Sequence, residues 1–260
     1  MQPLVKLKKH PPSGTIILNR PEKRNALNRA MLSELQQALE DFHLERQVRA
    51  VILTGAGSAF CAGADLGELQ ETSRSQDAQI QWYHDTVQYK ELLELMLRFP
   101  KPIIAAVNGP AIADGAGLVL ASDIVVGTPE AAFGFPEPRR GLVAGLVSPL
   151  LVFRIGGGFA ANLLLTAQLI EATEAHRLHV YHELTESEKI WARAHELAVL
   201  CAQSAAESLL LTKRMLNETI GENLEVLLSA GAAASATART TEAAVEGVVA
   251  FLEKRPPKWP

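Results

Sequence analysis

Glu137 stands between Pro136 and Pro138, directly after the apolar run Phe133-Gly134-Phe135. Two prolines stiffen the backbone around the acid, and its aromatic neighbours would partly desolvate the carboxyl. Desolvation raises a carboxyl pKa toward the range of a general acid or base. The same residue also reads as a solvated loop carboxylate, or as one paired with Arg139 or Arg140. A second candidate for chemistry is backbone rather than side chain. In the stretch from Pro102 to Asp123, Ile103 to Val107 reads as a buried strand, Asn108-Gly109-Pro110 as a turn, and Gly115 to Ser122, opened by Asp114, as a buried helix. A strand that feeds a helix through a tight turn aims unpaired N–H groups at whatever sits above it, which favours negative charge on a ligand oxygen. Taken alone, the stretch also reads as an ordinary buried crossover.

Other constellations carry less. Thr54-Gly55-Ala56-Gly57 follows a strand, but the third glycine of a dinucleotide fingerprint would fall on Phe60, whose ring would block helix–strand packing. His176, His179 and His182 recur every third residue, yet Val180-Tyr181 interrupts the helical pattern, so they read as surface side chains and no metal site is assigned. Gly156-Gly157-Gly158 lacks the lysine and hydroxyl of a phosphate loop and reads as a turn between helices. No histidine is placed to activate Cys61, which reads as an inert thiol.

The elements that must position these groups follow from periodicity. Strands are expected at Leu4–Leu7, Thr15–Leu18, Ala50–Thr54, Ile124–Val126 and Ala131–Phe135, with a turn at His10–Gly14. Asn28 is a candidate N-cap for a helix that buries Met31, Leu32, Leu35, Ala38, Leu39 and Phe42. Asp65 with Glu68 resembles a capping box. Residues 72–79 read as a polar, mobile link to a helix from about Ile80 to Phe99, ended by Pro100 and Pro102. Beyond Val143 the pattern is helical, with one β-like break near Val180, and it ends in Glu222–Arg239 and Thr241–Lys254. Strands alternating with helices first, and helices alone later, indicate an α/β core with a helical tail.

The 260 residues suit one large domain or a domain with an appendage. Lysine and arginine number 25 against 29 acidic residues, a net charge of −4 with the signs interspersed, so nucleic acid is not an expected partner. Two isolated cysteines fit a reducing compartment. The start, Met-Gln-Pro-Leu-Val-Lys, has no apolar signal core and no run approaches a membrane span. The expectation is a cytoplasmic enzyme with no membrane partner.

Four stretches, taken in order, sharpen this. Arg20-Pro-Glu-Lys-Arg-Asn-Ala-Leu-Asn28, Ala59-Phe-Cys-Ala-Gly-Ala-Asp65, Ala105-Ala-Val-Asn-Gly-Pro-Ala111 and Phe133-Gly-Phe-Pro-Glu137 resemble the enoyl-CoA hydratase/isomerase (crotonase) family, as does the ending Phe251-Leu-Glu-Lys-Arg-Pro-Pro-Lys-Trp259. The resemblance spans essentially the whole chain. It implies a crotonase-like spiral of ββα units, here assigned to residues 1–200, with a C-terminal helical trimerisation region at 201–260. In the family that region often completes a neighbour's site, so a homotrimer or hexamer is expected. It implies an acyl-CoA thioester substrate and no cofactor beyond the coenzyme A that the substrate carries. The thioester oxygen would be held by the N–H groups of Ala64 and Asp114, and CoA would touch Lys23, Arg24, Ala26, Ala62, Asp65 and Leu66.

Three departures from the family pattern bear on the reaction. Gly117 stands where two-glutamate hydratases carry one of their acids, which leaves Glu137 as the family-matched acid. Asp114 replaces a usual glycine at an oxyanion position. It keeps the N–H but adds a carboxylate that reads as an unwanted charge, a second acid or a helix cap. The segments Leu178–Glu183 and Gly141–Val147 also depart, which touches the acyl pocket. The resulting expectation is hydration of a 2-enoyl-CoA with Glu137 as acid/base. The alternatives are a Δ3,Δ2-enoyl-CoA isomerase using the same groups and a degenerate acyl-CoA binding protein.

Overall fold

A computed structural model describes residues 3–220 and 223–259. The strands are β1 (Val5–His10), β2 (Ser13–Leu18), β3 (Ala50–Gly55), β4 (Ile103–Val107), β5 (Ala111–Ile112), β6 (Ile124–Gly127), β7 (Phe133–Gly134), β8 (Leu169–Ile170) and β9 (Glu183–Leu184). The helices are α1 (Arg29–Leu44), α2 (Leu66–Thr72), α3 (Ala78–Arg98), α4 (Asp114–Leu120), α5 (Ser148–Ile155), α6 (Gly157–Thr166), α7 (Ala172–Arg177), α8 (Ile190–Ala202), α9 (Ala206–Arg214), α10 (Leu224–Ala238) and α11 (Glu242–Leu252).

The larger sheet runs β1-β2-β3-β4-β6-β9, antiparallel at the β1–β2 hairpin and parallel elsewhere. The smaller runs β5-β7-β8, with β5 and β7 parallel and β8 antiparallel. The larger sheet is covered on both faces, as parallel sheets require. In β3, Val51 and Leu53 enter the main core with α1 and α3, whereas Ala50 and Ile52 face Ile190, Ala194 and Ala198 of α8. That period of two is the strand's own.

Local sequence explains the helix ends. Asn28 caps α1 by accepting from the Met31 N–H at 2.9 Å, and the six predicted apolar residues are the buried face. Asp65 caps α2 through the Gly67 and Glu68 N–H groups, but the box is one-sided. Glu68 turns instead to the Arg29 N–H, while the Asp65 N–H donates to Leu27 O.

Several expectations shift. The first hairpin is tighter than the predicted turn, because His10 and Ser13 already pair. Helix α3 starts two residues before Ile80. The β pairing of Ala131–Phe135 shrinks to two residues, β8 has no sequence signal at its length, and the break near Val180 pairs at Glu183–Leu184. Glu222, the predicted start of the penultimate helix, lies outside the described residues, and α10 begins at Leu224. No helix among the described residues is long and apolar enough to cross a membrane.

Candidate active site

The loop after β3 and the junction between β5 and α4 meet at Gly63. Gly63 has a φ of 91°, and a Cβ there would press on Ala113 Cβ at 2.7 Å and Asp114 N at 3.3 Å. Only a residue without a side chain lets the two segments come this close. The Leu27 N–H donates to Gly63 O, and the Asp65 N–H to Leu27 O, both at 2.8 Å. This parallel bridge turns the Ala64 peptide the other way. The neighbouring stitch joins Cys61 to Ala111, with the Ile112 N–H donating to Cys61 O at 2.9 Å.

Helix α4 supplies the second donor. Its cap is Ala113, held at φ 55° and ψ −124°, so Asp114 is the first helical residue and not the N-cap; its carboxylate makes no capping bond. The cap reading of Asp114 is thereby corrected. The Asp114 N–H is one of the orphan donors of a first turn. Neither it nor the Ala64 N–H donates to any acceptor among the described residues. Both residues border one cavity of about 720 Å³.

Glu137 lines the same cavity from the turn that follows β7. It is buried, and among the described residues both carboxyl oxygens lack a partner. Burial, and after it the charge of Asp114, pushes its pKa up to about 8, against the opposing pull of its own backbone N–H and of Arg140. The structure thus rejects the solvated-loop reading, and the Arg140 head instead lies over the Phe251 ring at 4.4 Å. Asp114 is half-buried, and its pKa is raised by burial with Arg239 opposing.

Lys23, Arg24, Ala26, Ala62, Asp65 and Leu66, the residues expected to touch CoA, all border the cavity. Lys23 and Arg24 are exposed, and Lys254 borders the same cavity. Asp65 has its carboxylate committed: one oxygen caps α2 and the other pairs with Arg20 at 2.9 Å. Its side chain therefore holds the loop rather than waiting for a ligand. Asn25 does similar work, donating to the carbonyls of Ala56, Ala59 and Phe60 while accepting from the Arg20 N–H.

Four contributors, Tyr89, Arg239, Phe251 and Leu252, were not assigned to the site from the sequence. Tyr89 on α3 donates its hydroxyl to Asp114 O, fixing the first turn of α4. A Cβ on Gly117 would overlap that hydroxyl and press on Val147 Cγ1 at 2.6 Å. The space of the missing acid is already filled. Arg239 at the end of α10, and Phe251 and Leu252 of α11, form wall residues from the C-terminal region. The resemblance expects that region to complete a neighbour's site; here it closes the chain's own cavity.

Cys61 is fully buried, its thiol donating to Asn25 O and its pKa pushed up to about 12 by burial, as an inert thiol should be. The three histidines are exposed, and no cluster of metal-ligating side chains occurs among the described residues.

Comparison with known proteins agrees with this geometry. The family model for enoyl-CoA hydratase/isomerase matches residues 14–260. A Thermus thermophilus protein provisionally named an enoyl-CoA hydratase is 43% identical over 246 residues, covering 95% of this chain and 96% of its own. The short-chain-enoyl-CoA hydratase of Clostridium acetobutylicum is 32% identical over 252 residues, covering 96% and 94%. The crystal structure of carnitinyl-CoA hydratase from Mycobacterium avium superposes with a TM-score of 0.85 at 30% identity, covering 100% of this chain and 99% of that one. The ordered motifs, the paired backbone donors and these full-length likenesses converge: the chain is a crotonase-fold member of the enoyl-CoA hydratase/isomerase family.

Proposed function

We propose that the protein hydrates 2-enoyl-CoA thioesters, with Glu137 moving the protons and the N–H groups of Ala64 and Asp114 holding the thioester oxygen. One observation carries this reading. Among the described residues, two N–H groups without acceptors and a buried carboxyl without partners border the same cavity. In the reaction, ionised Glu137 takes a proton from water as the oxygen bonds to C3. The C2=C3 electron pair shifts toward C1, and the thioester oxygen becomes an enolate oxygen. The two N–H groups stabilise that charge, a contribution of roughly 3–4 kcal/mol per donor in comparable sites. Glu137, now protonated, returns its proton to C2, and the thioester carbonyl re-forms. Lys23 and Arg24 would pair with the CoA phosphates.

The test is direct. Purified protein should hydrate crotonyl-CoA, seen as loss of the conjugated thioester absorbance, and Glu137→Gln should abolish turnover while acyl-CoA binding persists. Rapid isomerisation of 3-hexenoyl-CoA without hydration of crotonyl-CoA would replace this reading with the isomerase. Binding without turnover of either would replace it with a binding protein. We further infer a homotrimer or hexamer; the exposed apolar side chains of the C-terminal half, Leu211 and Val226 among them, support self-association.

A further inference from the structure

Besides the donors and Glu137, the cavity wall includes the apolar Leu142, Val143 and Leu146. Two side chains one turn apart on the end of α10, Ser235 and Arg239, also border it. The Ser235 hydroxyl is engaged, donating to Val143 O at 3.3 Å. The Arg239 guanidinium is not. Among the described residues it makes no ion pair within 4.0 Å and donates no side-chain hydrogen bond.

Its surroundings explain why. Asp85 would be the natural partner, but Arg29 takes both of its oxygens, at 2.6 and 2.8 Å, and Gln81 adds a third bond. Asp65 is taken by Arg20. Asp114 exerts a charge on Arg239 but lies beyond ion-pair distance. A half-buried arginine in a wall of this kind is costly without an anionic partner. The helix dipole favours a cation at the end of α10, which accounts for the residue type but not for a guanidinium at the cavity.

We propose that Arg239 receives an anionic group, a carboxylate, at the far end of the acyl chain, so that the protein takes acyl-CoA thioesters of dicarboxylic acids in preference to simple fatty acyl chains. The planar fork matches a carboxylate through two parallel N–H···O bonds, and Leu142, Val143 and Leu146 contact the methylenes between thioester and carboxylate. This specificity rests on the acyl-CoA reading above, and its test does not require turnover.

Calorimetric titration of the wild-type protein with saturated thioesters provides the measurement: glutaryl-CoA against pentanoyl-CoA, and adipoyl-CoA against hexanoyl-CoA. Wild type should bind at least one carboxylate-bearing member about tenfold or more tightly than its simple partner, since a site built for a charged group rejects the analogue that lacks it. In Arg239→Gln that ratio should collapse toward one, and Arg239→Lys should retain part of it. Equal binding within both pairs by wild type overturns the proposal without recourse to any variant. So does a preference that survives in Arg239→Gln. Failure of every thioester to bind would instead strike the acyl-CoA reading itself.

Discussion

With its pKa pushed up to about 8 by burial and then by Asp114, Glu137 is protonated in most molecules at neutral pH. A base must be ionised to accept a proton, and the ionised form accumulates as pH rises through that value. The kcat/KM for crotonyl-CoA is therefore expected to climb between about pH 6 and 9, with its midpoint near 8. Asp114→Asn tests the cause. Removing the neighbouring charge lowers the Glu137 pKa, so the midpoint should move to lower pH. A drop of about one unit would raise the ionised fraction at pH 7 about fivefold, with kcat/KM following it. The same change takes negative charge away from the enolate, again in the direction of faster turnover. A pH–rate profile that stays in place would acquit Asp114 of this influence. A collapse of activity in a well-folded Asp114→Asn protein would make its carboxyl a second acid.

Helix α4 shows why the acid cannot simply be put back at Gly117. The Tyr89 hydroxyl occupies that space while it holds Asp114 O, so Gly117→Glu must displace a buried tyrosine. Overpacking of this kind costs about 1–3 kcal/mol. The variant should melt lower, and adding Tyr89→Phe should restore part of the loss by removing the colliding oxygen. Melting unchanged in the single variant would mean that Tyr89 moves freely. The missing acid was legible in the sequence because it is a position within a motif. The tyrosine that fills its place was not, since it lies on another helix and its register toward Gly117 is fixed only by tertiary packing. The same contrast runs through the elements. Helix α1 was legible to its cap and its buried face because both are periodic and local. Strands β7 and β8 are two residues each, too short for any alternation, and exist through their pairing in the β5-β7-β8 sheet. Glu68 matched a capping box by spacing, but Arg29, a residue on α1, offered its N–H instead.

At the scale of the whole molecule, α11 is packed so tightly on the turn carrying Glu137 that a Cβ at Gly247 would run into the Arg140 backbone. A catalytic wall therefore comes from the same chain, and self-association has to be judged separately from completion of the site. Among the described residues, all the exposed large apolar side chains except Leu7, Leu44, Ile80 and Tyr83 lie beyond residue 142. An apolar surface concentrated in this way is what an interface between copies requires. Leu211, 62% exposed on α9, and Val226, 70% exposed on α10, are natural places to weaken it. Leu211→Asp with Val226→Asp should shift the oligomer toward monomer at micromolar protein, measured by light scattering during size exclusion. Specific activity per chain should then stay within a few-fold as dilution carries the protein through dissociation, because Glu137, the N–H groups of Ala64 and Asp114 and the α11 wall all travel with one chain. Activity that falls in proportion to the loss of oligomer, in chains that remain folded by circular dichroism, would show instead that a neighbour supplies something the single chain lacks.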